Sequence, residues 1–382
     1  MCKTVSNNFQ KKNSKKIQKK KLILQKNLKN IFQSKKMKIN LLCLAVLFLL
    51  SGCKEMKEEK IITNNSAEKL SDDIFKEVQA GGVKMIPIET PVGKFKVWTK
   101  KFGDNPRIKI LLLHGGPAMG HEYMESFESF FPNVGFEMYE YDQLGCVNSD
   151  QPNKDDLWTT PRFVEEVEQV RKALGMNKDN FYLLGNSWGG MLGMEYALKY
   201  QDNLKGLIIS NMMASIPDYE KYNGVLRSQM RKSLLDSLNT YEAKGDYSNP
   251  VYGNLVREEY YKLHICRLKE FPEAVERSFK HGNEHIYTLM QGPSEFKVGG
   301  RLLTWDIKSE LPKIKVPTLT IGAQYDTMDP KAMEDISKKV QHGRFLYCPN
   351  GSHLSFWDDQ KNYFPGVIQF IKDVDEGKFL KN

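Results

Sequence analysis

Cysteine is scarce: there are six in 382 residues, and beyond residue 53 only Cys146, Cys266 and Cys348. So small and odd a set is not a disulfide framework, and buried free thiols are expected. Proline (16) and glycine (28) are too few for a collagen-like or disordered chain. Acidic residues are missing from residues 1–36, which hold twelve lysines; without that stretch the formal charge of +9 becomes −3. The basic balance belongs to a leader, and a nucleic-acid partner for the body loses its support. There is no internal repeat, no Gly-x-Gly-x-x-Gly and no phosphate loop. His281 and His285 stand four apart but lack the Glu of a His-Glu-x-x-His site and read as a solvated helix face, so no metal or cofactor is expected. What the chain does have is apolar mass, 40% hydrophobic and 11% aromatic. That is enough for one large domain or two modest ones.

The N-terminus reads as an address. Met37-Lys38-Ile39-Asn40 precedes ten apolar residues, Leu41 to Leu50, and then Ser51-Gly52-Cys53. A positive start, a short apolar run and small residues form a secretory signal. The run is too short to cross a bilayer, which takes about 20 residues. The quartet Leu50-Ser51-Gly52-Cys53 resembles the bacterial lipobox, and that resemblance implies lipid attachment at Cys53 and a mature chain beginning there. Residues 1–36 form a Lys/Asn/Gln-rich basic leader, with either Met1 or Met37 as the start; residues 37–52 are the signal peptide. Residues 53–78 are the lipidated Cys with a charged, flexible tether. The expected location is the bacterial cell envelope, facing periplasm or exterior.

From residue 79 the pattern is that of an α/β domain. Val83–Ile88 and Lys94–Lys100 look like a hairpin, and short apolar runs recur at Ile108–Leu113, Phe136–Tyr141, Phe181–Leu184, Leu204–Ser210, Pro317–Ile321 and Arg344–Tyr347. Continuous apolar strands separated by helical stretches predict a mostly parallel sheet covered on both faces. The clearest helix is 161–174, with Thr160 as cap, Pro161 in its first turn and Gly175 at its end; its apolar spacing marks it as packing. Residues 213–303 break the rhythm and read as a helical cap inserted into a core of 79–212 and 304–382. Such a cap would roof the strands' C-terminal edge, where open α/β sheets place ligands.

The chemistry concentrates at Gly185-Asn186-Ser187-Trp188-Gly189, with a strand before it and a helix after it. That is the context of a nucleophile elbow, in which small residues permit a tight turn that exposes the Ser hydroxyl at a helix N-terminus. A serine needs a base and an orienting acid. In chain order these are Asp326, just past a strand, and His353, in the loop after the last strand; Asp329 is the rival acid. The other six histidines precede the Ser, lie in the cap or precede the last strand. Two backbone N–H groups must face the developing oxyanion. Trp188 follows the nucleophile, and the loop His114-Gly115-Gly116-Pro117 supplies the second donor, with Gly116 preferred to Gly115.

From about residue 80 to the C-terminus the chain resembles the proline iminopeptidases of the α/β-hydrolase fold. The motifs that carry the likeness are His114-Gly115-Gly116-Pro117, Tyr141-Asp142-Gln143-Leu144-Gly145-Cys146 with Ser149, and Arg162-Phe163-Val164-Glu165-Glu166-Val167. With them go Gly185-Asn186-Ser187-Trp188-Gly189-Gly190, His264-Ile265-Cys266-Arg267 and Gly292-Pro293-Ser294-Glu295-Phe296. The resemblance implies a serine exopeptidase that removes an N-terminal residue, often proline, from short peptides or amino-acid amides. It also implies that Glu295 binds the free amino terminus, as an ammonium removed from water needs an anionic partner; the alternative is a surface Glu pairing with Lys297 or Arg301. Two positions depart from the family's pattern. Thr327 stands where many members carry a second acid, and Val147 replaces the last Gly of Asp-Gln-x-Gly-x-Gly. The first leaves a broader aminopeptidase or amidase activity open. The competing readings are an esterase, amidase or lactonase indifferent to a free amine, and a non-catalytic surface-binding lipoprotein.

Overall fold

The computed structural model describes residues 80–379 apart from Phe296. The basic leader, the signal 37–52, Cys53 and the tether to residue 78 all lie outside the described residues. The strands are β1 (Val83–Thr90), β2 (Gly93–Phe102), β3 (Lys109–Leu113), β4 (Glu137–Asp142), β5 (Phe181–Asn186), β6 (Gly206–Ser210), β7 (Thr318–Ala323) and β8 (Gly343–Cys348). They form one sheet in the order β1-β2-β4-β3-β5-β6-β7-β8. Only the pairs β1–β2 and β2–β4 are antiparallel; every pairing from β4 to β8 is parallel. Pro87 sits on β1, an edge strand, where a missing N–H is tolerated.

Helices α1 (Thr160–Ala173) and α2 (Trp188–Tyr200) precede a helical excursion of α3 (Ile216–Ser228), α4 (Lys232–Ala243), α5 (Pro250–Val256), α6 (Glu273–His281) and α7 (Glu284–Met290). Helices α8 (Pro330–Lys339) and α9 (Gln360–Asp375) return to the core. The continuous apolar strands divide by alternation, as side chains with a period of two must. Leu111, Leu113, Phe181, Leu183, Leu207 and Ile209 join one apolar cluster with α1, α2 and α8. Ile110, Leu112, Tyr182, Leu184 and Ile208 join a second with α9 and the turn Glu122–Ser129. The excursion has a small cluster of its own, built on Leu226, Leu234, Leu238, Tyr252, Val256 and Tyr260.

Helix α1 departs from expectation in two ways. Thr159 stands at the N-cap without a side-chain bond and Thr160 is already helical, a one-residue shift of the kind common at helix ends. Its buried face also does more than pack. Glu166 pairs with Arg162, receives the Tyr141 hydroxyl and accepts the Leu144 N–H at 2.9 Å, so the helix ties down the loop after β4. Cys146, Cys266 and Cys348 are buried free thiols.

Candidate active site

Strand β5 ends at Asn186, and Ser187 turns into α2 with φ 56° and ψ −125°. Sterics explain the neighbours: a Cβ on Gly185 would lie 2.0 Å from Gly189 O, and one on Gly189 would lie 2.0 Å from Leu113 O. A non-glycine residue at positive φ persists only when its surroundings over-determine it. Here Ser187 N–H donates to Ser210 O at 3.0 Å, and the Asn186 amide reaches His353 O at 3.3 Å and Ser210 O at 3.4 Å.

Asp326 and His353 come together from the ends of β7 and β8. His353 Nδ1 lies 2.7 Å from Asp326 Oδ1, and Asp326 is fully buried. The other carboxylate oxygen accepts from Asn211 Nδ2 at 2.8 Å, while Oδ1 also receives the Met328 N–H (3.1 Å) and the Thr327 hydroxyl (3.3 Å). Burial alone would lower the His353 pKa, but the Asp326 carboxylate outweighs it, and the ring titrates above the usual value of 6.5. Ser187 and His353 line the same cavity, with no hydrogen bond between them; such contacts often tighten only when substrate binds. Asp329, the rival acid, caps α8 by accepting the Lys331 N–H at 2.9 Å and is not among the cavity's lining residues.

Gly115 and Gly116 are now separable. The Gly115 N–H donates to the Tyr123 hydroxyl at 2.6 Å, and that hydroxyl donates in turn to Asn186 Oδ1 at 3.0 Å. Gly116, at φ 110°, and Trp188 have backbone N–H groups with no acceptor among the described residues. A Cβ on Gly115 would come within 2.9 Å of Ser187 Cβ, which shows how closely this loop approaches the serine.

The cavity, about 330 Å³, extends from Ser187 and His353 under the helical excursion to Glu295 and the rings of Tyr261, Phe279 and Tyr287. A smaller recess touches Ser187, Trp188 and Glu295 and is walled by Met191, Met212, Ile216, Leu302 and Met328. Glu295 makes no ion pair among the described residues. Its carboxylate is held by the hydroxyls of Tyr287 (2.6 Å to Oε1) and Tyr219 (3.0 Å to Oε2), and its carbonyl by Asn223 Nδ2 at 3.2 Å. Arg301, one suggested partner, instead donates to Asp155 O and Trp158 O. His281 and His285, read as a solvated face, meet Glu122 at 2.9 Å and Asp155 at 2.7 Å. No metal-binding group of acidic, His and Cys side chains occurs among the described residues.

Tyr123, Asn211, Tyr219 and Tyr287 are the supporting residues that the sequence pattern missed. Asn211 had one usable signal, its place directly after β6; the tyrosines lie among many others in aromatic-rich segments.

This arrangement of elbow, parallel sheet and roofing helices defines an α/β hydrolase. Accordingly, residues 109–360 match the family model described as the alpha/beta hydrolase fold. Within that fold the chain belongs to the proline iminopeptidase family. It is 64% identical over 295 residues to the proline iminopeptidase of Flavobacterium johnsoniae, covering 77% of this chain and 99% of that one. It is 65% identical over 297 residues to that of Elizabethkingia meningoseptica, covering 77% and 100%. Among solved structures, the Mycobacterium smegmatis proline iminopeptidase aligns with a TM-score of 0.69 at 29% identity, over 77% of this chain and 99% of that chain.

Proposed function

We propose that this protein is a serine exopeptidase that releases an N-terminal residue, proline foremost, from short peptides or amino-acid amides. The observation that carries the reading is Glu295, a carboxylate without a cation among the described residues, set by two tyrosine hydroxyls in the cavity that Ser187 lines. An ammonium or pyrrolidinium brought there gains an anionic partner, and the cavity beside Ser187, walled by Tyr261, Phe279 and Tyr287, has room for a small apolar ring.

In this reading Ser187 Oγ attacks the scissile carbonyl while His353 takes its proton, and Asp326 holds the imidazole and offsets its charge. The carbonyl oxygen becomes an oxyanion facing the Gly116 and Trp188 N–H groups. As the C–N bond breaks, His353 gives the proton to the leaving amine, which departs and leaves an acyl-enzyme. Water, deprotonated by His353, then releases the free amino acid and restores Ser187.

The test pairs a variant with a substrate change. Ser187→Ala is expected to abolish proline release from a prolyl arylamide, and N-acylating the substrate is expected to abolish its turnover by the unaltered enzyme. Undiminished activity in the variant refutes the nucleophile; brisk turnover of the acylated substrate points to an esterase or amidase that ignores the amine.

We further propose that the enzyme is held at the cell envelope by lipid on Cys53. The support is the run Leu41–Leu50 followed by Ser51-Gly52-Cys53 and a charged tether. Cys53→Ser is expected to move the activity from the membrane fraction to the soluble fraction. Retention in membranes would exclude the anchor.

A further inference from the structure

The motif Tyr141-Asp142-Gln143-Leu144-Gly145-Cys146 takes no part in the attack or the proton transfers, yet its glutamine touches both sides of the oxyanion site. Gln143 comes directly after β4 and is 1% exposed. Its Nε2 donates to His114 O at 3.0 Å, and its Oε1 accepts from the indole Nε1–H of Trp188 at 2.9 Å. Its backbone N–H donates to His114 Nε2 at 3.1 Å, and His114 Nδ1 faces Gly115 O at 3.0 Å. Burial pushes the His114 pKa down to about 4, so the ring is neutral near neutral pH, with its proton on Nδ1 and Nε2 free to accept.

The chemistry at each end of the Gln143 side chain suits an amide. An indole N–H can only donate and a backbone carbonyl can only accept. The bridge therefore needs an acceptor and a donor at opposite ends of one short group, and the Gln143 amide supplies both. A carboxylate would set a negative charge against His114 O, and an apolar chain would leave a buried indole N–H and a buried carbonyl unpaired. The two anchored residues matter because each belongs to a loop that carries an oxyanion donor. Trp188 bears one proposed donor on its own backbone, and His114 lies two residues before Gly116, which bears the other. These donors come from separate loops, after β5 and β3, and electrostatic stabilisation by such a pair depends on their being held in place before charge develops.

We propose that Gln143 is the positioning residue that fixes the spacing of the two oxyanion donors by clamping the His114 carbonyl to the Trp188 indole. The proposal rests on the reading of Gly116 and Trp188 as those donors. It predicts an effect on transition-state stabilisation with little effect on substrate affinity.

Two substitutions test it, with thermal melting to verify folding. Gln143→Met keeps the chain length and removes the amide. Trp188→Phe removes the indole N–H and keeps the backbone donor. Each is assayed for kcat and KM on a prolyl arylamide, for inhibition by free proline, and for the rate at which a fluorophosphonate probe labels Ser187. Gln143→Met is expected to lower both kcat and the labelling rate by about 10–100-fold, below the roughly 10²–10³-fold cost of deleting a donor outright. KM and proline inhibition should stay within about threefold. Trp188→Phe should show a smaller loss of the same kind, and the double variant should be no worse than Gln143→Met, since both cut one arm. Unchanged kcat and labelling, a loss confined to KM, or losses that multiply in the double variant would overturn the proposal. If Gln143→Met does not fold, Trp188→Phe decides alone, and an unchanged labelling rate overturns the clamp. If the unaltered enzyme ignores prolyl arylamides while labelling still falls in the variants, the substrate reading fails and the clamp stands.

Discussion

At the scale of single residues, the site separates groups that react from groups that hold. Asp326 is surrounded by donors from Asn211, Met328 and Thr327, so its carboxyl group is held in place before any substrate arrives. Thr327, which stands where many family members carry an acid, serves this carboxylate rather than a ligand. In the proposed reading the anionic side of amine recognition then falls to Glu295, whose carboxylate oxygens accept from the hydroxyls of Tyr219 and Tyr287. Glu295→Gln keeps the side-chain size and removes the charge. It is expected to lower kcat/KM on a prolyl arylamide by about 10²-fold or more, in line with the roughly 2–5 kcal/mol lost when one partner of a buried charge pair is removed. Labelling of Ser187 by a fluorophosphonate, which has no amine, should change by less than about threefold. Equal losses in both assays would mean that Glu295 supports the fold and not the substrate.

At the scale of elements, what the sequence made legible depends on which forces act locally. Strands β3 to β7 were readable because their apolar runs are buried on both faces, and such runs stand out against polar loops. The elbow was readable because the turn around Ser187 excludes side chains at Gly185 and Gly189, a constraint written into adjacent residues. The preference for Gly116 rested on a loop position alone, whereas the structure supplies a reason: Tyr123, eight residues on, takes up the Gly115 N–H. The partners that the pattern missed act at long range. Tyr219 and Glu295 are 76 residues apart, and Asn211 and Asp326 are 115 apart. The seam between the excursion and the core was equally hidden. Arg277 on α6 reaches Glu125 at 2.7 Å and Glu122 at 3.1 Å, and Ser278 donates to Met119 O at 2.9 Å, beside the oxyanion loop. Periodicity reports which face of a helix is buried but not which distant carboxylate it meets.

At the scale of the whole molecule, buried titrating groups set how stability responds to pH, and they pull from opposite sides. His114 is kept neutral by burial, with a pKa of about 4, so between pH 6.5 and 4 the unfolded chain binds a proton that the folded one refuses; stability falls as pH falls through that window. Glu140 does the reverse. It is fully buried on β4 with neither carboxyl oxygen hydrogen-bonded among the described residues, and burial raises its pKa to about 8. The charged groups around it are His121, whose Nε2 is 4.0 Å away, and Lys100, Glu125 and Glu128. Between pH 4.5 and 8 the folded state therefore holds a proton that the unfolded state has released, and stability falls as pH rises. His121 acts in the same sense. Burial opposes its protonation, but contact with Asp142 at 2.8 Å prevails and raises its pKa, so its contribution also fades as the ring loses its proton. The two limbs overlap and nearly cancel between about pH 5 and 6, so stability should peak there and fall as pH rises above it. Glu140→Gln cannot ionise and so removes the alkaline penalty while retaining a constant cost for a buried amide. Its stability relative to the unaltered protein is expected to rise by about 2–4 kcal/mol between roughly pH 5 and pH 9, a relative gain of several degrees in Tm. Melting curves for the two proteins across that range provide the check, and a difference in Tm that does not change with pH would show that Glu140 carries no proton of consequence.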